Sequence, residues 1–137
     1  MVYTSYFGQM RNFPENVIPV AICGGIPTWY KGAWYKKPAP KYEFFQKWKQ
    51  THDNEYYIEQ YNKEVLDKLN WQTVIADIHL LIPEDVRATM QSSVWTSDAV
   101  HVVLLCYEKP EDFCHRHLFA EWLNSKADWV MVKEWKY

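Results

Sequence analysis

The sequence predicts a small α/β protein with a Rossmann-like architecture, in which helices flank a mostly parallel sheet. Short apolar or β-prone runs are separated by stretches with helical spacing, and this alternation is typical of parallel sheets. The apolar run 102–105 is continuous, as in strands that are covered on both faces. The length of 137 residues and the 48% hydrophobic content suit one domain over residues 1–137.

The amino-terminal third is predicted to hold two strands and a long loop. Residues 2–6 alternate and predict the first strand, with residues 7–12 as the loop at its end. The apolar run 17–23 ends at two glycines and predicts the second strand, although Pro19 indicates an edge or a bulge. Three prolines and a glycine exclude a regular helix from residues 26–40, so this segment is predicted to be a functional loop.

The middle of the chain is predicted to be helical. Residues 41–51 have helical spacing, with Tyr42, Phe45 and Trp48 on one stripe. Asp53 or Asn54 caps a second helix, whose apolar positions continue to residue 69. A third helix, capped by Asn70 and stopped by Pro83, and a short helical turn up to residue 90 complete this region.

The carboxyl-terminal third concentrates the reactive side chains. Residues 100–106 predict the central strand, and residues 129–135 predict the last one. Pro110 suits a first helical position, so a helix is predicted from residue 110 to 124. Residues 114–117 (Cys-His-Arg-His) then lie in its first two turns, beside the carboxyl end of the central strand. In α/β folds, this place is the usual ligand crevice.

Charge and composition restrict the partners. Residues 1–50 carry seven Lys and Arg against two acids, while the rest is acidic and the net charge is −2. This balance argues against tight binding along duplex DNA and fits a single nucleotide or a short single strand better. No apolar stretch approaches the roughly 20 residues of a membrane span, and the start lacks secretory features. We therefore expect a cytoplasmic protein without a membrane partner, and free thiols instead of a disulfide framework.

The cysteines and their neighbours are the candidate catalytic groups. Cys114 near a helix N-terminus is expected to have a lowered pKa, which would make it a nucleophile. Glu108 or His115 would be the general base or acid, and Cys106 would belong to the same wall. The alternative is that both cysteines are buried apolar fillers of the core.

A metal site is a second possibility for the same residues. Cys106, Cys114, either His115 or His117, and as a further option Cys23 include the soft ligands that zinc prefers, but their separations match no known ligand spacing. Cys114, His117 and Glu121 share one arc of the predicted helix, which indicates either a metal site or a polar face. Zinc is therefore possible but not favoured, and no residue is assigned as a metal ligand.

The candidate ligand-binding residues are basic and aromatic. Arg116 can hold a phosphate or carboxylate bidentately, and Arg11 can add an anion contact or be an ordinary surface arginine. The aromatic residues of the 26–40 loop can stack on bases, or they can fold over the core as a lid. The aromatic candidates are Tyr6, Trp29, Tyr30 and Trp34.

The motifs around these residues resemble those of a known family. The run Leu104-Leu105-Cys106-x-Glu108, followed by Cys114-His115-Arg116, closely resembles the hallmark of the domain-of-unknown-function family 488. The segments 3–8 and 27–32 are similar to the amino-terminal part of its short bacterial and phage members. The resemblance implies a compact Rossmann-like domain and marks the two runs as the family motif. It implies no particular activity.

These expectations combine into one functional hypothesis. The protein is expected to bind a phosphorylated or nucleotide-like ligand in a crevice lined by cysteine, histidine and arginine at the strand carboxyl ends. It would act on that ligand as a hydrolase or transferase. There are three alternatives. The first is a non-catalytic protein of phage origin that binds or sequesters a nucleotide signal. The second is an enzyme that depends on thiols or a metal, and the third is a protein interaction module.

Overall fold

The computed structural model describes residues 1–136. Within these residues, five parallel strands form a single sheet. The strands are β1 (Val2–Tyr6), β2 (Val17–Ala21), β3 (Ala33–Trp34), β4 (His101–Cys106) and β5 (Lys133–Glu134). Their order across the sheet is β3-β2-β4-β1-β5, and every pairing is parallel. The predicted α/β class is confirmed.

Five α-helices connect the strands. They are α1 (Tyr42–Thr51), α2 (Asn54–Glu64), α3 (Trp71–Leu80), α4 (Glu84–Thr89) and α5 (His115–Asn124), with short 3-10 helices at Phe7–Asn12 and Leu66–Lys68. The Asp53 and Asn70 side chains accept hydrogen bonds from the backbone N–H groups of Tyr56 and Thr73, so both predicted caps are present. None of the helices within residues 1–136 has the length and apolar character needed to cross a membrane.

The central strand β4 explains why the apolar run 102–105 is continuous. Its two neighbours, β1 and β2, pair with it along most of its length, and residues 102–106 are all buried. Alternate side chains enter two different apolar clusters, because successive residues of a strand point to opposite faces. Val102 and Leu104 join the cluster that contains the buried helical residues, while Val103 and Leu105 join a smaller cluster on the other face.

The smaller cluster shows what covers the second face of the sheet. Its members from outside the strands include Phe7 of the first 3-10 helix and Tyr30 of the 26–40 loop. Among the described residues, no α-helical side chain belongs to this cluster. The helices therefore pack on one face, and loop residues close the other.

Several predicted boundaries were wrong. The 26–40 segment contains β3, whose two residues pair with the end of β2, so it is not a loop throughout. Pro19 precedes this short pairing, which explains how a proline is tolerated in β2. The second helix ends at Glu64 instead of continuing to residue 69. The last strand is confined to Lys133–Glu134.

The start of α5 is the correction that matters most for the site. Pro110 is not its first residue, because residues 109–112 form a turn in which the Asp112 N–H donates to the Lys109 carbonyl. Cys114 is the N-cap, in an extended conformation, and the helix begins at His115. The Cys-His-Arg segment therefore lies directly at the helix N-terminus, closer to the end of β4 than predicted.

Candidate functional site

A crevice of about 560 Å³ opens at the carboxyl ends of β2 and β4. The two strands are neighbours in the sheet. After β2 the chain continues to β3 at one edge of the sheet, and after β4 it continues to β5 at the opposite edge. Such a divergence is a topological switch point, where open α/β sheets bind their ligands. The lining residues from the ends of these strands are Cys23, Gly24, Gly25, Cys106, Tyr107 and Glu108.

Helix α1 supplies the opposite wall. Tyr42, Phe45, Gln46 and Lys49 all line the crevice, and their spacing of three, four and seven residues places them on one helix face. Within α1, Tyr42 is 72% exposed and Phe44 is the buried core residue. The Lys49 ammonium lies 5.0 Å from the centre of the Phe45 ring. The wall combines aromatic surface with one cation.

The inner end of the crevice contains the predicted thiol and imidazole groups. Cys106, Glu108 and His115 line it, and the Cys106 sulfur lies 3.4 Å from Glu108 Oε2. Cys114 is buried next to them, and its sulfur is joined to that of Cys106 in a disulfide. The expectation of independent thiols was wrong for these two cysteines, because the early start of α5 brings them together.

The tautomer of His115 follows from its contacts. Its Nε2 lies 2.8 Å from the Ile22 carbonyl oxygen, which can only accept, so Nε2 carries the hydrogen. Nδ1 then has the free lone pair, and it lies 3.9 Å from the Cys114 sulfur. Burial lowers the pKa of His115 to about 4, so the ring is neutral near neutral pH.

Arg116 is fully buried and does not line the crevice. Its Nε and Nη2 donate to the two carboxylate oxygens of Glu134 at 3.2 and 2.9 Å, and Thr4 also donates to that carboxylate. Its Nη1 donates to the Cys106 sulfur at 3.0 Å and to the Glu108 carbonyl. The guanidinium therefore holds β5, the end of β4 and α5 together, and its predicted contact with an anion would require displacing these partners.

Two other predicted ligand residues lie in a separate place. Arg11 and Trp29 line a hollow of about 340 Å³ together with Phe7, Gly8 and Met10. None of these residues lines the crevice at β2 and β4. The structure thus does not bring Arg11 and Trp29 together with the cysteine and histidine groups.

The remaining aromatic candidates have structural contacts. Tyr30 is buried, and its hydroxyl accepts from the Ala21 N–H and donates to the Ala33 carbonyl, which ties the loop to β2 and β3. Trp34 Nε1 donates to the Cys23 carbonyl at 2.8 Å. The Tyr6 hydroxyl accepts from Gln9. Tyr30 therefore packs over the core, which was the alternative prediction for the aromatic residues of this loop.

Gln46, Lys49 and Tyr107 line the crevice but were not among the predicted site residues, and Cys23 was predicted only as a further option for a metal ligand. Gln46 and Lys49 follow Tyr42 at helical spacing, so they lie on the same stripe as the aromatic residues. Polar residues within an aromatic stripe indicate that this side of the helix faces a ligand, and this was the signal that the sequence offered. Tyr107, 52% exposed, directly follows Cys106. The thiol of Cys23 donates to the Gly25 carbonyl, and burial raises its pKa to about 11.

A second hollow, of about 490 Å³, is basic. It is lined by Lys36, Lys37, Lys41 and Lys68 with one acid, Glu64, and it shares no residue with the crevice. Lys37 is paired with Asp77 at 2.9 Å. The basic character of the first third of the sequence is therefore partly gathered at one surface.

One group of potential metal ligands exists among the described residues. The sulfur atoms of Cys106 and Cys114 and a ring nitrogen of His115 all lie within 4.8 Å of one another, and all three residues are buried. His117 and Glu121, which the helical wheel had placed with Cys114, are not in this group. Any metal at this place would be held by Cys106, Cys114 and His115.

The parallel sheet and the crevice at its switch point define a Rossmann-like α/β protein with a buried site of cysteine and histidine residues. The chain belongs to the DUF488 family: the family model described as "Active DUF488-N3 subclade" matches residues 7–127. The match includes both runs of the Cys-x-Glu and Cys-His-Arg motif. No curated protein and no solved structure matches the chain significantly.

Proposed function

We propose that the crevice at the ends of β2 and β4 binds a phosphorylated, nucleotide-like ligand. The observation that carries this proposal is the position and lining of the crevice. It lies at the switch point of a parallel sheet, and one wall presents Tyr42 and Phe45 beside Lys49. Tyr107 adds aromatic surface at the end of β4, so a flat ring and an anionic group both have suitable partners.

The extension of the proposal to catalysis rests on the titratable groups at the inner end. Glu108 lines the crevice, and the Nδ1 lone pair of His115 is free to accept a proton or a metal ion. A hydrolase or transferase reaction on the ligand would use Glu108 as general acid or base. The word "Active" in the family description agrees with this extension.

The experiment that tests the proposal is mass spectrometry of small molecules released by denaturing freshly purified protein. We expect a phosphorylated compound with an aromatic ring from the wild type and a strongly reduced amount from Tyr107→Ala. The control is Trp129→Ala, which also removes an exposed aromatic side chain but does not alter the crevice lining. Equal amounts from both variants, or no phosphorylated compound from the wild type, would contradict the proposal.

A short single-stranded nucleic acid is the second candidate ligand, and the basic hollow favours it. Four lysines line this hollow, and lysines that neutralise phosphates give binding a strong salt dependence. Affinity for a short oligonucleotide should then fall steeply with salt and weaken in Lys68→Ala. If affinity is unchanged in Lys68→Ala, this hollow does not bind nucleic acid.

A further inference from the structure

The residues at the inner end of the crevice have the composition of a zinc site. Two cysteine sulfurs and one imidazole nitrogen lie within 4.8 Å of one another, and the three residues are between 1% and 5% exposed. Thiolate and imidazole groups together are the ligands that zinc prefers. Catalytic zinc sites commonly use three protein ligands and keep the fourth position for water.

The contact of His115 with the backbone orients it as a metal ligand. Histidines that bind a metal through one ring nitrogen usually donate the other N–H to a carbonyl or carboxylate. His115 donates from Nε2 to the Ile22 carbonyl at 2.8 Å, which leaves Nδ1 facing the Cys114 sulfur. The tautomer is therefore the one that zinc binding requires.

The backbone separation of the two cysteines also suits a shared metal ion. Their Cα atoms are 7.8 Å apart, whereas disulfides usually span about 4.4–6.8 Å. Two sulfurs that each lie about 2.3 Å from a tetrahedral zinc ion are about 3.8 Å apart. In the reduced protein, the backbones of Cys106 and Cys114 are therefore far enough apart for both sulfurs to bind one ion.

Arg116 and Glu134 supply the electrostatic environment that a thiolate ligand needs. Arg116 Nη1 donates to the Cys106 sulfur at 3.0 Å, and a nearby cation favours the thiolate form. Glu134 neutralises the rest of the guanidinium, so the buried arginine does not add an unpaired charge. Such contacts around the ligands commonly fix their position and charge.

We propose that in the reduced protein the thiolates of Cys106 and Cys114 and the His115 ring bind one zinc ion, with the fourth position facing the crevice beside Glu108. The ion would lie between the ends of β4 and α5 and would hold them together. This inference concerns metal binding alone, and it stands whether or not the ligand of the crevice is a nucleotide.

The first test is the metal content of untagged protein, purified under reducing conditions, loaded with zinc and freed of excess metal. We expect about one zinc per chain in the wild type, as in other protein zinc sites. His115→Gln and Cys114→Ser should lose the bound zinc, while the matched control His117→Gln should keep it. Full zinc content in His115→Gln, or loss in His117→Gln, would overturn the ligand assignment.

The second test uses cobalt and the unaltered chain, so it does not depend on the folding of any variant. Co²⁺ added to the metal-free protein should give a thiolate charge-transfer band in the near ultraviolet and the strong visible bands of a tetrahedral site. A spectrum without the charge-transfer band would overturn the proposal. A purified protein that holds no metal and weighs two hydrogens less than its reduced form would show that Cys106 and Cys114 form a disulfide instead.

Discussion

At the scale of single residues, the chemistry of the site depends on which groups are buried with partners. Arg116 has 0% exposure, and its donors are directed at Glu134, the Cys106 sulfur and the Glu108 carbonyl. A buried charge that loses its partner costs about 3–5 kcal/mol, because it stays desolvated without compensation. Arg116 is therefore a positioning residue for the end of β4 in the observed structure.

Glu134→Gln should destabilise the protein by about 3 kcal/mol, because it leaves the Arg116 guanidinium buried beside a neutral amide. Urea denaturation at neutral pH measures the difference. The matched control is Glu64→Gln, which removes the exposed pair with Lys68 and should cost less than about 0.5 kcal/mol. Similar losses in the two variants would show that burial does not strengthen the contribution of Glu134.

Cys23 should react slowly with iodoacetamide in the folded protein. Burial raises the pKa of its thiol from 9.0 to about 11, which lowers the thiolate fraction at pH 8 about a hundredfold, and the thiolate is the reactive form. Peptide mapping after timed alkylation measures the rate, and denaturation in urea should restore ordinary reactivity. Rapid alkylation of Cys23 without urea would contradict its buried position.

The sequence predicted the candidate site residues but not their partners. Cys106, Glu108, Cys114 and His115 were all predicted, and three of them line the crevice. The pairing of Arg116 with Glu134 could not be predicted, because it joins residues 18 positions apart through the position of β5. A single acid in an otherwise alternating apolar segment was the only indication in the sequence.

At the scale of secondary-structure elements, side-chain contacts between loops and helices place the walls of the crevice. The Tyr35 hydroxyl, just after β3, donates to Asp77 of α3 at 2.6 Å, and Lys37 contacts the same carboxylate. The hydrogen bond from Tyr35 and the charge of Lys37 hold the pKa of Asp77 below its usual value. These contacts fix the segment that leads into α1.

Tyr35→Phe should cost about 1.5–3 kcal/mol at pH 7, the usual contribution of a hydrogen bond to a charged group. The pKa of Asp77 is lower in the folded than in the unfolded state. Its stabilising contribution is therefore complete above the unfolded pKa and is lost as the pH falls through the folded one.

The difference in the free energy of unfolding between Tyr35→Phe and the wild type should accordingly become smaller in acid. Denaturation at pH 7 and at successively lower pH values, down to where the folded carboxyl group is protonated, follows this loss. Tyr42→Phe is the control, since this side chain is 72% exposed and its hydroxyl is open to water. A loss for Tyr35→Phe that is constant with pH would mean that Asp77 is not its partner.

The fold was predictable where periodicity was strong and less so where tertiary contacts decide. The bounds of β1 and the caps of α2 and α3 follow from local residue preferences. The two-residue strand β3 exists only because the end of β2 is free to pair with it. This pairing is a tertiary contact, and no local sequence pattern predicts it. The start of α5 at His115 likewise depends on Cys114 meeting Cys106 from β4.

At the scale of the whole molecule, the order of the strands creates the site. Residues from the loop after β2, from α1 and from the end of β4 meet only because β2 and β4 are neighbours whose connections diverge. Cys106 and His115 line the same crevice as the aromatic wall with Lys49, so one ligand can contact both. The central claim is that this crevice binds a phosphorylated ring compound.

Titration calorimetry tests this claim most directly, with ATP, ADP, AMP and the four nucleosides added to the wild type, Lys49→Ala and Lys63→Ala. Lys63 is an exposed lysine of α2 outside the crevice lining, so it is the matched control. We predict saturable binding of at least one phosphorylated compound, weakened about tenfold in Lys49→Ala and unchanged in Lys63→Ala. Binding of none of these compounds, or equal affinity in Lys49→Ala and the wild type, would contradict the account.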